Sequence, residues 1–163
     1  MTCKPESAAA LESRLGGRTG FLGARAASLD RIPCDDASAD VAILVEVVEH
    51  LDDAILAGAL REVTRVLKPG GYLVLTTPNQ EDLAKAEILC PDCGCVFHRV
   101  QHVRAWTGPS LMAAVEPHGY RTVAVRPTKF AHKGGLIRRM RRRLREMRRR
   151  PAPHLFYLAR KRA

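Results

Sequence analysis

Glu46, Glu49 and His50 fall within five positions of this 163-residue chain. Two carboxylates and an imidazole so close together could ligate Mg2+, Mn2+ or a similar ion. A histidine titrating near neutrality could instead take a proton from a nucleophile. A second group lies further on, in CPDCGCVFHRVQH, which holds Cys90, Cys93, Cys95, His98 and His102. Cys-x-x-Cys followed by glycine forms a tight turn whose backbone amides point at the thiolates, and Zn2+ asks for four nitrogen or sulfur ligands in a tetrahedron. Cys90 and Cys93 would be joined by two of Cys95, His98 and His102; the alternative is a loop of reduced thiols. Cys3 and Cys34 have no partners nearby in sequence and are read as plain residues.

These groups need elements to position them. VAILVEVV (Val41–Val48) is a continuous apolar, β-branched run, expected as a strand buried on both faces of a parallel sheet. Leu51, Ile55, Leu60, Val63 and Leu67 follow near helical spacing and predict a helix over 53–67, stopped at Pro69-Gly70-Gly71. Tyr72–Thr77 is a second buried strand, closed by Pro78-Asn79. Strand, helix and strand at this spacing make a right-handed βαβ unit. A helix over Ser110–His118, ended by Gly119, and strands over Tyr120–Arg126 and His154–Arg160 complete the pattern. Phe21–Leu29 is a weaker strand candidate, RIPCDDASAD is a loop, and 4–16 could form a short Ala-rich helix in an otherwise irregular N-terminus, 1–20. The fold class is α/β with a mostly parallel sheet. Ligands of such sheets bind beyond the carboxyl ends of the strands. Here those ends carry Glu46, Glu49 and His50 on one strand and Thr76, Thr77, Pro78 and Asn79 on the next.

The stretch from Ile32 to Asn79, with a strand ending in EVVEHL, a helix ending in RVLKPGG and the strand YLVLTTPN, resembles class I S-adenosylmethionine-dependent methyltransferases. The likeness extends more loosely through HGYRTVAV to HLFYLARK. It implies a partial Rossmann-like methyltransferase fold in a single domain, 1–163, with a zinc-knuckle-like Cys/His insert at 88–106 and an Arg-rich helix at 133–151 before the last strand. It implies S-adenosylmethionine as cofactor, with Ser28 and Leu29 at the adenine and Val45 and Glu46 near the methionine portion. Glu49 and His50 would act as base or metal ligand in methyl transfer to an acceptor that the residues do not name. The family's first strand and Gly-rich loop do not precede Phe21. The chain therefore reads as the carboxyl-terminal two-thirds of a methyltransferase: a truncated product, a degenerate paralogue or a half whose missing strands come from a partner chain. The alternative function is a non-catalytic, zinc-stabilised relic that binds RNA or another polyanion.

Glu-x-x-Glu-His also resembles the metal-binding motif of small-RNA 3′-terminal 2′-O-methyltransferases. That likeness would make His102, in FHRVQHVRAWT, a fourth ligand to Mg2+ or Mn2+, although Gln101 and Ala105 stand where that family has Asp and Glu. His102 cannot serve this site and the zinc together. In ordinary class I members a Glu-His pair here shapes the cofactor pocket without metal.

The formal charge of +10 belongs to one end of the chain. Residues 1–128 carry 13 Lys+Arg and 16 Asp+Glu, whereas 129–163 carry 14 and 1. LIRRMRRRLREMRRR places Ile137, Met140, Leu144 and Met147 on one stripe of an arginine-coated helix. Its alternatives are phosphate binding on RNA or another nucleic acid, attachment to an anionic membrane surface, or a solvated helix. An apolar content of 46% excludes disorder of the chain as a whole. No apolar run reaches transmembrane length and no signal-peptide core is present, so a cytoplasmic location is expected.

Overall fold

A computed structural model describes residues 5–130 and 152–163. In chain order the elements are helix α1 (Pro5–Leu15), strand β1 (Ala39–Val45), helix α2 (Asp53–Val66), strand β2 (Leu67–Pro78), the short strands β3 (Glu87–Leu89) and β4 (Val96–His98), helix α3 (Gly108–Val115), strand β5 (Tyr120–Thr128) and strand β6 (His154–Lys161). The expected Arg-rich helix at 133–151, with its apolar stripe, lies wholly outside the described residues.

The main sheet has the order β1-β2-β6-β5. β1 and β2 pair in parallel through the expected helical crossover. β6 runs antiparallel to both of its neighbours, so β5 points the same way as β1 and β2. The mostly parallel sheet of the sequence reading is thus a mixed one. Three strands share a direction, but only one of the three pairings is parallel. The reason is topological: the last strand inserts between β2 and β5 instead of adding at an edge. A separate two-stranded hairpin, β3-β4, carries the Cys/His insert. Phe21–Leu29 forms no strand among the described residues; only an isolated bridge joins Ser28 to Arg31.

Helix α2 begins where Asp52 accepts a hydrogen bond from the Ile55 amide at 2.8 Å, a side-chain cap on an otherwise orphaned donor. Its apolar stripe, Leu56, Ala59, Leu60 and Val63, packs on Leu73, Leu75, Leu155, Tyr157 and Ala159 of the sheet. Leu111 and Val115 of α3 and Tyr120 extend this core. At the other end of α2, Lys161 from β6 donates to the carbonyls of Thr64 (2.7 Å) and Leu67 (2.8 Å). A cation there satisfies unpaired acceptors and complements the helix dipole.

The opposite face of the sheet differs from expectation. β1 is not buried on both faces: Val41, Ile43 and Val45 are 49%, 62% and 58% exposed. Their alternating partners Ala42 and Leu44 pack toward the core. β1 is also the edge of the sheet, with only β2 paired to it among the described residues. An apolar run cannot report which of its faces receives a cover.

The turn between α2 and the body of β2 has a steric requirement at Gly71. A Cβ there would lie 2.9 Å from the Lys68 carbonyl oxygen and 3.0 Å from that of Asp40. Both obstacles are backbone, which cannot rotate away as a side chain can. Gly71→Ala is expected to destabilise the fold by about 1–3 kcal/mol, the usual cost of overpacking. Urea unfolding measures it, and a variant within about 0.5 kcal/mol of the parent contradicts the stated packing.

Candidate active site

The carboxyl ends of β1 and β2 are adjacent because the strands are parallel and in register, with Val45 opposite Thr76. The chain leaves β1 through Glu46, whose φ of 52° lies in the left-handed region, and then forms a short 3-10 turn over Val48–His50. A β-branched or carboxylate side chain rarely adopts that backbone state without compensation. The Glu46 amide supplies part of it by donating to the Thr76 carbonyl at 2.9 Å. Among the described residues, Glu46, Gln80 and Gln101 are three of the four non-glycine residues with positive φ, and all three border this turn or the segment lying against it. Backbone strain therefore collects at the strand ends.

Glu49 is fully buried. Its Oε2 accepts a hydrogen bond from Thr77 Oγ1 at 2.8 Å, while Oε1 has no hydrogen-bond partner. Burial pushes its carboxyl above the usual carboxylate range, and the nearby charge of Glu46 adds to this. His50 Nδ1 lies 3.2 Å from the Gln101 carbonyl oxygen, which can only accept, so Nδ1 carries the proton and donates. The His50 Nε2 lone pair then faces Glu49 Oε1 at 4.0 Å.

The segment after β4 closes over this turn. The Val103 amide donates to the Glu49 carbonyl at 2.9 Å, and the Gln80 amide donates to the Trp106 carbonyl at 2.8 Å. His102 is brought edge-on to His50, with ring centroids 4.7 Å apart. His102 Nδ1 lies 2.5 Å from Glu81 Oε2, and His102 Nε2 lies 4.0 Å from Glu49 Oε1. His98 stacks on His102 at 4.8 Å, and its Nδ1 accepts from the His102 backbone amide at 3.1 Å. Two sets of side chains each bring their ligand atoms within 4.8 Å of one another: Glu49 with His50 and His102, and Glu81 with His98 and His102.

The sequence-predicted residues therefore separate into groups. Glu49, His50 and His102 converge. Glu46 stands beside them but turns its Oε2 toward His154 Nδ1, 3.3 Å away, and leaves Oε1 buried without a partner. Val45 points to the open sheet face. Ser28 and Leu29 lie in the loop before β1, where Ser28 bonds to Asp30 and Leu29 packs against the core. That loop borders an open groove of about 570 Å³ lined by Ala26, Ala27, Arg31, Ile32, Pro33, Glu62 and Arg65. The cysteines do not join His98 and His102; no cysteine is in either three-residue set among the described residues. Cys90, Cys93 and Cys95 sit at the hairpin tip, where the Cys90 amide donates to the Cys95 carbonyl and the Gly94 amide to that of Cys90. The Cys95 backbone amide, followed by the thiols of Cys95 and Cys90, holds the Cys93 thiol below its ordinary value.

Sequence reasoning missed Glu81 and His154 as partners of this site; it placed Thr77 at the strand end without a partner and read Gln101 only as a departure from a motif. Glu81 had a legible signal, a carboxylate three positions beyond Pro78 at a strand end. His154 had none, because only the pairing of β6 with β2 sets it opposite Pro78.

The methyltransferase-domain family matches this chain over residues 7–125, and the chain belongs to that family. A probable S-adenosylmethionine-dependent methyltransferase of Mycolicibacterium smegmatis is 43% identical over 56 residues, which cover 34% of this chain and 21% of that protein. The dimethylglycine N-methyltransferase of Parasynechococcus marenigrum is 40% identical over 65 residues, covering 40% of this chain and 22% of that protein. The matched segment thus spans about a fifth of these curated relatives. Among solved structures, an S-adenosylmethionine-dependent methyltransferase of Methanosarcina mazei superposes with a TM-score of 0.64 at 18% identity, covering 98% of this chain and 79% of its own. The 1,6-didemethyltoxoflavin-N1-methyltransferase of Burkholderia thailandensis, solved with its substrate and S-adenosylhomocysteine, gives 0.61 at 16% identity over 99% and 59%. A Haloferax volcanii methyltransferase complex with an activator protein gives 0.57 at 17% identity over 84% and 60%. At these identities the superpositions establish the fold. The comparisons lend no support to the alternative of a polyanion-binding relic. Among the described residues no helix is long and apolar enough to cross a membrane.

The loop before β1 is held by an ion-pair network. Glu62 accepts from Arg65 and from the Ile32 amide, and Arg65 also donates to the carbonyls of Ile32 and Cys34 and to Asp36. The Arg65 guanidinium, with the Ile32 amide, lowers the Glu62 carboxyl to about 2 from an ordinary 4.5. A depressed carboxyl contributes stability above its unfolded value and loses it as pH falls. Glu62→Gln is therefore expected to lower the urea midpoint at pH 7, with the gap to the parent closing between pH 4.5 and about 2. A gap that stays constant across that range removes Glu62 from the network's anchor position.

Proposed function

We propose that this chain takes part in S-adenosylmethionine-dependent methyl transfer, with the acceptor's nucleophilic atom held beside Glu49 and His50. The observation that carries this reading is the match to the methyltransferase-domain family over 7–125, together with unpartnered buried oxygens at the ends of two parallel strands. Glu46 Oε1, Glu49 Oε1 and Thr76 Oγ1 are all buried without hydrogen-bond partners. Desolvating three such atoms costs free energy in the empty site, and a polar ligand there offsets it.

The reaction moves a methyl group in line from a sulfonium to a nucleophile. The sulfur–carbon bond breaks as the new bond to the acceptor forms, and the acceptor's proton passes to the Glu49–His50 group. Most of the acceleration comes from positioning the two reactants and excluding water. In this reading Ser28 and Leu29 lie toward the adenine of the cofactor, and Val45 and Glu46 lie toward its methionine portion. The acceptor stays unassigned. A partner chain against the open face of β1 would cover Val41, Ile43 and Val45; their exposure supports that reading.

Zinc at the hairpin tip is a separate part of the proposal. Cys90, Cys93 and Cys95 supply three thiolates, and the depressed Cys93 thiol favours the ligating form. His98 and His102 face Glu81 instead, so a fourth ligand has to come from solvent or another group. The arginines of 137–150 are proposed to bind RNA or a similar polyanion in a salt-sensitive manner.

Calorimetry with S-adenosylmethionine tests the central reading. Binding in the micromolar-to-millimolar range typical of enzyme substrates is expected, and no heat at millimolar cofactor overturns it for the chain by itself. Once an acceptor is known, His50→Ala is expected to lower kcat by about 100- to 10,000-fold with little change in cofactor binding. For zinc, Cys90→Ser is expected to abolish the metal content of the purified chain; full retention excludes the cysteine set.

A further inference from the structure

We propose that Arg104 and Trp106 form an oxyanion subsite that holds a carboxylate of the methyl acceptor beside the Glu49–His50 group. Exposure alternates along 102–106: His102, Arg104 and Trp106 are sheltered, whereas Val103 and Ala105 are exposed. Such alternation belongs to an extended segment, whose every second side chain shares one side. The Val103 amide is tied to the Glu49 carbonyl, and Trp106 pairs in parallel with Asn79 at the end of β2. The sheltered row therefore crosses the strand ends, from His102 against His50 through Arg104 to Trp106.

Two donors in this row lack an acceptor. Trp106 is 4% exposed, and its indole Nε1 is buried without a hydrogen-bond partner. Arg104 Nε is buried and unpartnered as well. The guanidinium lies over the Trp106 ring, 5.4 Å from the centroid, so the two donors are neighbours. Orphaned buried donors are unfavourable, and an ionised acceptor satisfies them best. One guanidinium with one indole N–H matches the single charge and two oxygens of a carboxylate; a phosphate dianion asks for more cations.

Arg104 also stands at the amino end of α2, where its Nη2 lies 2.9 Å from Asp53 Oδ1. The start of a helix carries partial positive charge and favours anions. Asp53 shows that a carboxylate fits against this guanidinium. Its side chain is 98% exposed, and so solvated a pair contributes little, which leaves the guanidinium open to a ligand. The other acids around the row are engaged: Asp52 with the Ile55 amide, Glu49 with Thr77 and Glu81 with His102. Two positions of extended chain span roughly 6.6 Å. A carboxylate at Arg104 thus sets a nucleophile about four or five bonds away beside His50 and His102. That acceptor role rests on the methyl-transfer reading, but the binding of a carboxylate does not.

Trp106 is the single tryptophan of the chain, so its indole N–H gives one signal in a proton–nitrogen spectrum of the full protein. Titration with sodium acetate, at ionic strength held constant with chloride and without cofactor, is expected to move that signal downfield to saturation. No cofactor is present, so a failure of cofactor calorimetry leaves the result untouched. Arg104→Gln should weaken acetate binding at least tenfold, the loss of a hydrogen bond between charged groups. Asp53→Asn removes the competing carboxylate and should tighten binding by about 2- to 5-fold, a gain that a merely structural Arg104–Asp53 pair does not produce. An indole signal that acetate leaves in place, or equal acetate affinity in the parent and Arg104→Gln, overturns the subsite. Tighter binding of inorganic phosphate than of acetate overturns the choice of a carboxylate. If Arg104→Gln does not fold, Asp53→Asn decides: tighter acetate binding supports the subsite, and unchanged or weaker binding overturns it.

Discussion

The hydrogen bond from Thr77 to the buried Glu49 carboxylate joins the ends of β1 and β2, and the arrangement of the site depends on it. A carboxylate removed from water is costly unless its oxygens are occupied. Thr77 occupies one oxygen, at 2.8 Å, and leaves the other directed toward His50 and His102. This contact is available only because the strands are parallel and paired residue for residue up to Val45 and Thr76. The α2 crossover between them sets that register, and the core beneath it, from Leu60 to Leu75 and Tyr157, holds it.

Around this carboxylate the polypeptide accepts unfavourable local conformations. Glu46 and Gln101 both have positive φ; Gln101 presents its carbonyl to His50, while the Glu46 carboxylate beside the site turns to His154. Each such residue costs on the order of 1–3 kcal/mol, which persists only where surrounding structure fixes it. Pairing of Glu46 with Thr76 and of Val103 with Glu49 provides that fixation. The strain and the unpartnered oxygens coincide, as expected of a surface shaped for a ligand more than for stability.

The insert has two chemically different ends. Its tip carries thiols in a tight hairpin, and its base carries imidazoles engaged with Glu81 and facing Glu49. Adjacent sequence positions thus serve different environments. β4 ends at His98, whose side chain is buried while Val96 and Phe97 before it are exposed. That change of environment within three residues separates the histidines from the cysteines.

Much of this arrangement was legible in the residues. The βαβ unit, the glycine stop after α3, the last two strands and the placing of Glu46, Glu49 and His50 at a strand end all follow from apolar periodicity and turn chemistry, which are local. Other features depended on contacts between distant segments. A run such as VAILV records that it can be buried, not that one face will lie open. HLFYLAR records a strand, not that it enters antiparallel between two earlier ones. Cys90 to His102 record a set of possible ligands, while the division among them came from which partner each side chain met across the fold: Glu81 and Glu49 for His102, and one another for the thiols. Local chemistry chose the elements and the candidate ligands; long-range packing chose their partners, because a side chain's hydrogen-bonding state is set by neighbours far away in the chain.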